Sequence, residues 1–148
     1  LYRKVPWVRI PPPPPKLGIG IRAKNMIKVY KSSEGTTAPL SGAVEANGFL
    51  FVSGQIHLDE RGFLAGNNIE ERFEIALSNV NSILNEAGLT LKDVISVKLY
   101  LVNLDLLPNL NEVYIKHFNH PMPTRTAIEV TGLPLGASIE MDVVAVHK

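Results

Sequence analysis

The sequence predicts an α+β domain, with one mixed β-sheet and two amphipathic helices packed on one of its faces. Three observations lead there. Hydrophobic spacing switches between a two-residue and a 3–4-residue period, giving the order β-β-α-β-α-β-β. Each helical segment carries a single apolar stripe, so each buries one side only. The chain has 148 residues, 45% hydrophobic and 20% charged, which suits one core. Two helices side by side on one sheet face is the economical way to close it.

Taken in order, "MIKVY" (26–30) is a short β-like run, and "TTAPLSGAVEAN" (36–47) reads as a loop of turn formers. "GFLFVSGQIHLD" (48–59) is strand-like, with aromatic and β-branched residues around Ser53-Gly54. "DERGF" (59–63) is a turn. From 68 to 87 the period lengthens: Ile69, Phe73, Ala76, Leu77, Val80, Ile83, Leu84 and Ala87 form one helical stripe. Asn67 or Asn68 caps its start, Glu70 and Glu71 suit the first turn, and Gly88 ends it.

"DVISVKLYLVN" (93–103) is predicted as a strand with Ile95, Val97, Leu99 and Leu101 buried and Ser96, Lys98 and Tyr100 opposite. A second helix spans about 107–118, with Leu110, Val113, Tyr114 and Phe118 inward and Pro108 in its first turn. Strands over 124–130 and 137–148 follow, separated by "TGLPLG". In the last strand Ile139, Met141, Val143 and Ala145 share one side. The other side runs Ser138, Glu140, Asp142, Val144, Val146, half polar and half apolar. That mixture suits a subunit interface with a wet cleft at its edge, so an oligomer is expected.

Charge divides the chain. Residues 1–31 hold eight of the fifteen basic residues and no acid; the other seven basic and fourteen acidic residues leave the remainder at −7. An acidic body repels phosphate backbones, which disfavours nucleic acid as a partner. No apolar run approaches the ~20 residues of a membrane span. The absence of cysteine removes disulfides, thiol nucleophiles and cysteine-ligated zinc, and fits a reducing compartment. Residues 1–25, with "IPPPPPK" and no acid, are expected to be a leader or linker outside the core fold, and 26–148 the folded domain. Localisation is then cytoplasmic, or mitochondrial or plastid if 1–25 are a targeting remnant.

"HPMPTRTAIEV" (120–130) singles out Arg125. Prolines deliver the chain to an arginine at the start of a strand. This residue is either a solvated surface group or a planar fork for an anion. His117 and His120 are three apart, a metal-compatible spacing, but with no third ligand nearby they read as solvated histidines. Gly18-x-Gly20 has no strand before it and no helix after, so nucleotide binding is rejected.

Four segments together carry a family likeness. "FLFVSGQI", "LNEVYIKHF", "PMPTRTAIEV" and "LPLGASIEMDVVAV" occur in order and with matching gaps. They resemble the reactive-intermediate deaminase family (Rid, YjgF-type, also called endoribonuclease L-PSP) over residues 26–148. The resemblance implies a chorismate-mutase-like subunit, a homotrimer with clefts between neighbouring subunits, and no metal or organic cofactor. The implied reaction is hydrolysis of 2-enamine and 2-imino acids, such as 2-aminoacrylate and 2-iminobutanoate, to 2-keto acids and ammonia. It places the carboxylate-binding arginine at Arg125 and the acidic residue near the attacking water at Glu140, which is expected on an adjacent edge strand. Ser53, Gly54 and Asn111 fall on substrate-binding positions, with the backbone N–H of Ala127 beside them.

Two departures stand out. Pro39-Leu40 replaces the family's frequent Pro-Tyr, and Ala127 stands where many members have cysteine. They motivate an alternative, a non-catalytic trimer that binds small carboxylates. A ribonuclease or translation inhibitor is the third reading, and the −7 body counts against it. Without the resemblance, Glu140 and Asp142 read as structural ion-pair partners, and Ser53 as a strand-end hydrogen bonder.

Overall fold

The computed structural model describes residues 27–30 and 38–148. The basic segment 1–25, Met26 and the Gly18-x-Gly20 pair lie outside the described residues.

Six strands form one sheet: β1 (Lys28–Tyr30), β2 (Ala43–Ala46), β3 (Phe49–Ile56), β4 (Val94–Leu101), β5 (Thr124–Glu129) and β6 (Ile139–Val146). Two helices, α1 (Ile69–Glu86) and α2 (Leu107–His117), complete the fold. The sheet order is β1-β2-β3-β6-β4-β5, antiparallel throughout except for the parallel pair β4–β5. This is the predicted mixed sheet with two helices.

α1 begins where the Asn68 side chain accepts the Glu71 N–H at 2.8 Å and stops before Gly88, whose φ of +74° suits glycine. Its stripe, including Phe73, Ala76, Val80 and Leu84, is fully buried and meets Leu110, Val113 and Tyr114 of α2 in one core. The sheet supplies Leu50 and Val52 from β3, Val97, Leu99 and Leu101 from β4, and Ile139, Met141, Val143 and Ala145 from β6. Both helices therefore cover one face. The opposite face is open: Phe49, Phe51 and Val29 are exposed on it at one end, and Lys98, Tyr100, Glu140 and Asp142 occupy the other.

Three expectations need correction. Residues 43–46 are strand β2, not loop. Asn47 and Gly48, with φ of +53° and +80°, turn β2 back onto β3 as a two-residue hairpin. Asn-Gly suits such a turn because both residues need positive φ. Ile95 is exposed and Val94 buried, because the β4–β6 register shifts between Val94 and Ser96 and resets the alternation. β6 is a central strand between β3 and β4, so Glu140 does not sit on an edge strand adjacent to Arg125.

Candidate active site

Arg125 lies on β5, the edge strand next to β4. Its cross-strand partner is Val97, which also pairs with Val143, and both of those are buried under the helices. Arg125 therefore projects on the helix side, where the sheet extends past its cover. Its guanidinium donates to Asn111 Oδ1 at 2.7 Å and sits over the Tyr114 ring, 4.8 Å from the centroid. The i, i+3 spacing of Asn111 and Tyr114 puts both on one side of α2, so a single helix turn orients the fork. Tyr114 packs between Phe73 and Phe118, which fixes the ring on which Arg125 rests. Burial pushes the Tyr114 phenol up from its ordinary pKa, while the Arg125 charge pulls the other way. α2 therefore holds the fork, through Asn111 and Tyr114.

Ala127, two residues on, faces the same side and packs against the core. The Val130 N–H bonds to Leu101 O at 2.8 Å. By the two-residue alternation of a parallel ladder, the N–H groups of Arg125 and Ala127 then point to the open edge.

Glu140 occupies the other face. It pairs with Tyr100 across β4 and with Ile56 across β3. At Ser53-Gly54 the β3–β6 register shifts, and Gly54 presents bare backbone to the Glu140 carboxylate: a Cβ there would collide with Glu140 Oε1. The glycine is needed for that approach. Ser53 Oγ donates to Ser41 O at 2.7 Å, so its proton is committed and its lone pairs remain for a donor. Leu40, next to Ser41, is exposed.

Burial pushes the Glu140 carboxyl above its ordinary pKa, and the neighbouring Asp142 charge pushes it the same way. Among the described residues Glu140 has no ion-pair or hydrogen-bond partner. Asp142 is the structural partner, accepting from the Tyr100 hydroxyl at 2.8 Å and lying 3.8 Å from Lys98 Nζ.

The predicted residues thus fall into two groups. Arg125, Asn111 and Ala127 form one corner; Ser53, Gly54 and Glu140 form another. β4 separates them, their side chains leave opposite sheet faces, and the registers differ by three residues (Val97 against Tyr100). Strand spacing of ~4.8 Å and a rise of ~3.3 Å per residue put the two Cα atoms roughly 14 Å apart. One chain does not bring them together.

Sequence reasoning placed Tyr114 in the core stripe and missed its contact with Arg125; its spacing from Asn111 was the available signal. It also passed over His57, which is buried and bridges Ala65 O at 2.7 Å and the Ser138 N–H at 3.1 Å. That ring ties the end of β3 to the start of β6, and no spacing in the sequence announces it. His117 is 2.8 Å from Glu74, and the described residues contain no cluster of three or more potential metal ligands. No helix among them is long and apolar enough to cross a membrane.

The family model described as Endoribonuclease L-PSP matches residues 31–147. A RutC family protein of Pyrococcus abyssi is 38% identical over 124 residues, 83% of this chain and 97% of its own. Reactive Intermediate Deaminase A, chloroplastic, of Arabidopsis thaliana is 32% identical over 136 residues, 89% of this chain and 73% of its own. The crystal structure of yeast Mmf1 matches with a TM-score of 0.78 and 32% identity, over 83% of this chain and 100% of that one. Motif order, fold and these likenesses agree: the chain belongs to the endoribonuclease L-PSP family, the Rid/YjgF group.

Proposed function

We propose that the protein is a hydrolytic deaminase of 2-enamine and 2-imino acids, acting as a homotrimer with each active site shared by two copies. The observation that carries this reading is the separation of Arg125 from Glu140. Each corner has half of what such a reaction needs, and a second copy supplies the other half. The open sheet face, with Phe49 and Phe51 exposed at one end and Tyr100 and Glu140 at the other, offers the surface for that contact. The deaminase name of the Arabidopsis relative supports the reaction class.

In this mechanism Arg125 grips the substrate carboxylate with two parallel N–H···O bonds, which fixes both position and plane. The outward N–H of Ala127 adds a neutral donor. The Glu140 carboxylate of the neighbouring copy takes a proton from water as the water oxygen bonds to the C=N carbon. It gives that proton to the nitrogen, forming a carbinolamine, then takes the hydroxyl proton and passes it to the nitrogen as the C=O bond forms and the C–N bond breaks, leaving a keto acid and ammonia. Ser53 Oγ, its own proton engaged by Ser41 O, accepts from the attacking water. Reactive imines need little more than positioning and one acid/base group.

The test is keto-acid release from freshly generated 2-aminoacrylate. Arg125→Ala and Glu140→Gln should each be slower by about a hundredfold or more, and mixing them with subunit exchange should restore about one site in four for random trimers. Wild-type rates in either variant remove the catalytic assignment. Inactive mixtures remove the shared site. Keto-acid binding without imine hydrolysis by the wild type would instead favour the carboxylate-binding reading, which Leu40 and Ala127 motivate.

A further inference from the structure

One cavity of about 620 Å³ lies apart from both corners, and none of Arg125, Asn111, Ser53, Gly54 or Glu140 lines it. It opens between the middle of α1 at Asn81, the 3-10 turn at Leu91–Asp93, the last turn of α2 and the segment 118–123. Its walls are apolar at Leu91, Val94, Phe118 and Pro121. Two ammonium groups, Lys92 and Lys116, also line it.

Neither lysine has an ion-pair or hydrogen-bond partner for its ammonium among the described residues. The adjoining acids are engaged elsewhere. Asp93 accepts the Thr90 N–H at 2.9 Å and the Thr90 hydroxyl at 3.0 Å, and lies 3.4 Å from Lys148. Glu74 is held by His117 at 2.8 Å. Lys116 partly offsets the carbonyl end of α2, but Lys92 belongs to another segment and leaves its charge over. The cavity is thus a partly apolar slot, with His117 and His120 also on its wall and two ammonium groups uncompensated among the described residues. Residues 1–25 are a poor occupant, since they carry six basic residues and no acid.

The donor type narrows the ligand. A planar carboxylate is best matched by the arginine fork, and no arginine lines this cavity. Lysine is a point charge with rotatable donors, suited to a tetrahedral phosphate dianion. Asn81 and Asn119 add neutral polar groups at the wall. We propose that this cavity binds a small phosphomonoester with a compact aromatic or apolar body, its phosphate held by Lys92 and Lys116 and its body against Leu91, Phe118 and Pro121. This site is independent of the proposed deamination.

Phenyl phosphate titrated into the full chain, followed by amide NMR shifts and calorimetry, tests it. Saturable binding should shift the amides of residues 90–94 and 116–120, weaken with salt, and be tighter than binding of inorganic phosphate or benzoate. The double variant Lys92→Ala/Lys116→Ala, changing two exposed side chains, should lose about ten- to a hundredfold in affinity, as for charged hydrogen bonds. Arg125→Ala should bind as wild type. The proposal is overturned by absence of saturation at millimolar ligand, by equal affinity in the double variant, or by shifts confined to the Arg125 corner. It fails equally if inorganic phosphate binds as tightly, since the apolar wall then has no part.

Discussion

Arg125 sits on an edge strand with its charge held by Asn111 and Tyr114, whereas Glu140 sits on a central strand with its carboxylate held by nothing described in the same chain. The first corner is complete as a binding group: its geometry is set by α2 before any ligand arrives. The second has no such support: it is pressed against glycine backbone, partly desolvated and unpaired among the described residues. Packing alone would not favour an unpartnered carboxylate, since a paired or neutral side chain there costs less. In the proposed reaction the contrast separates recognition from proton transfer, and it makes each corner testable without the other.

The largest effects should come from removing the reacting groups. Glu140→Gln should lower kcat by about a hundredfold to ten-thousandfold with KM little changed, the range for a general acid/base. Arg125→Ala should act mainly by raising KM, by about a hundredfold or more, and Arg125→Lys should recover part of that but not the planar grip. Steady-state kinetics on 2-iminobutanoate distinguish these; if both variants moved the same parameter, the division of labour would be wrong.

Smaller effects should come from the supports. Gly54→Ala should displace Glu140 and reduce kcat by about tenfold to a hundredfold, because a misplacement of about 1 Å is costly. Asn111→Ala leaves the fork loose. It should raise KM several-fold at nearly constant kcat, about 1 kcal/mol for one hydrogen bond to a charged group in an exposed place.

The pH dependence sharpens the comparison further. Glu140 must be ionised to take the proton from water, and its carboxyl is raised above the ordinary 4.5. The acid limb of kcat/KM should therefore lie above that value, and Asp142→Asn should move it down. Stability runs the opposite way. A carboxyl raised by folding contributes fully below the unfolded pKa, and the contribution is lost as pH rises through the folded one. Glu140→Gln should thus lose less stability than the wild type across that window, as urea midpoints would show.

Much of the fold was legible because its determinants are local. The α1 stripe, the Asn68 cap, the Gly88 stop and the alternation of β6 are all set by residues within a few positions of one another. The errors came where local pattern competes with something distant. β2 is four residues long and was submerged in turn formers, although Asn47-Gly48 marked the hairpin. Ile95 was misassigned because a register shift against β6, far along the chain, resets which side is in. At the site, residue types and motif order pointed to Arg125, Glu140, Ser53 and Gly54. The supports, Tyr114 and His57, were not found, since one was absorbed into the core stripe and the other carries no spacing signal.

By itself, then, the sequence marked both helices and five of the six strands, and the family resemblance it carries singled out Arg125 and Glu140. Caps, turns and hydrophobic period act over a few residues and need no partner to be read. Strand order was decided only in three dimensions. The insertion of β6 between β3 and β4 follows from burying both of its neighbours' apolar faces under α1 and α2 at once, a demand no local segment expresses. That order puts a strand between Arg125 and Glu140, and the pairing register, Val97 for one and Tyr100 for the other, puts them on opposite faces.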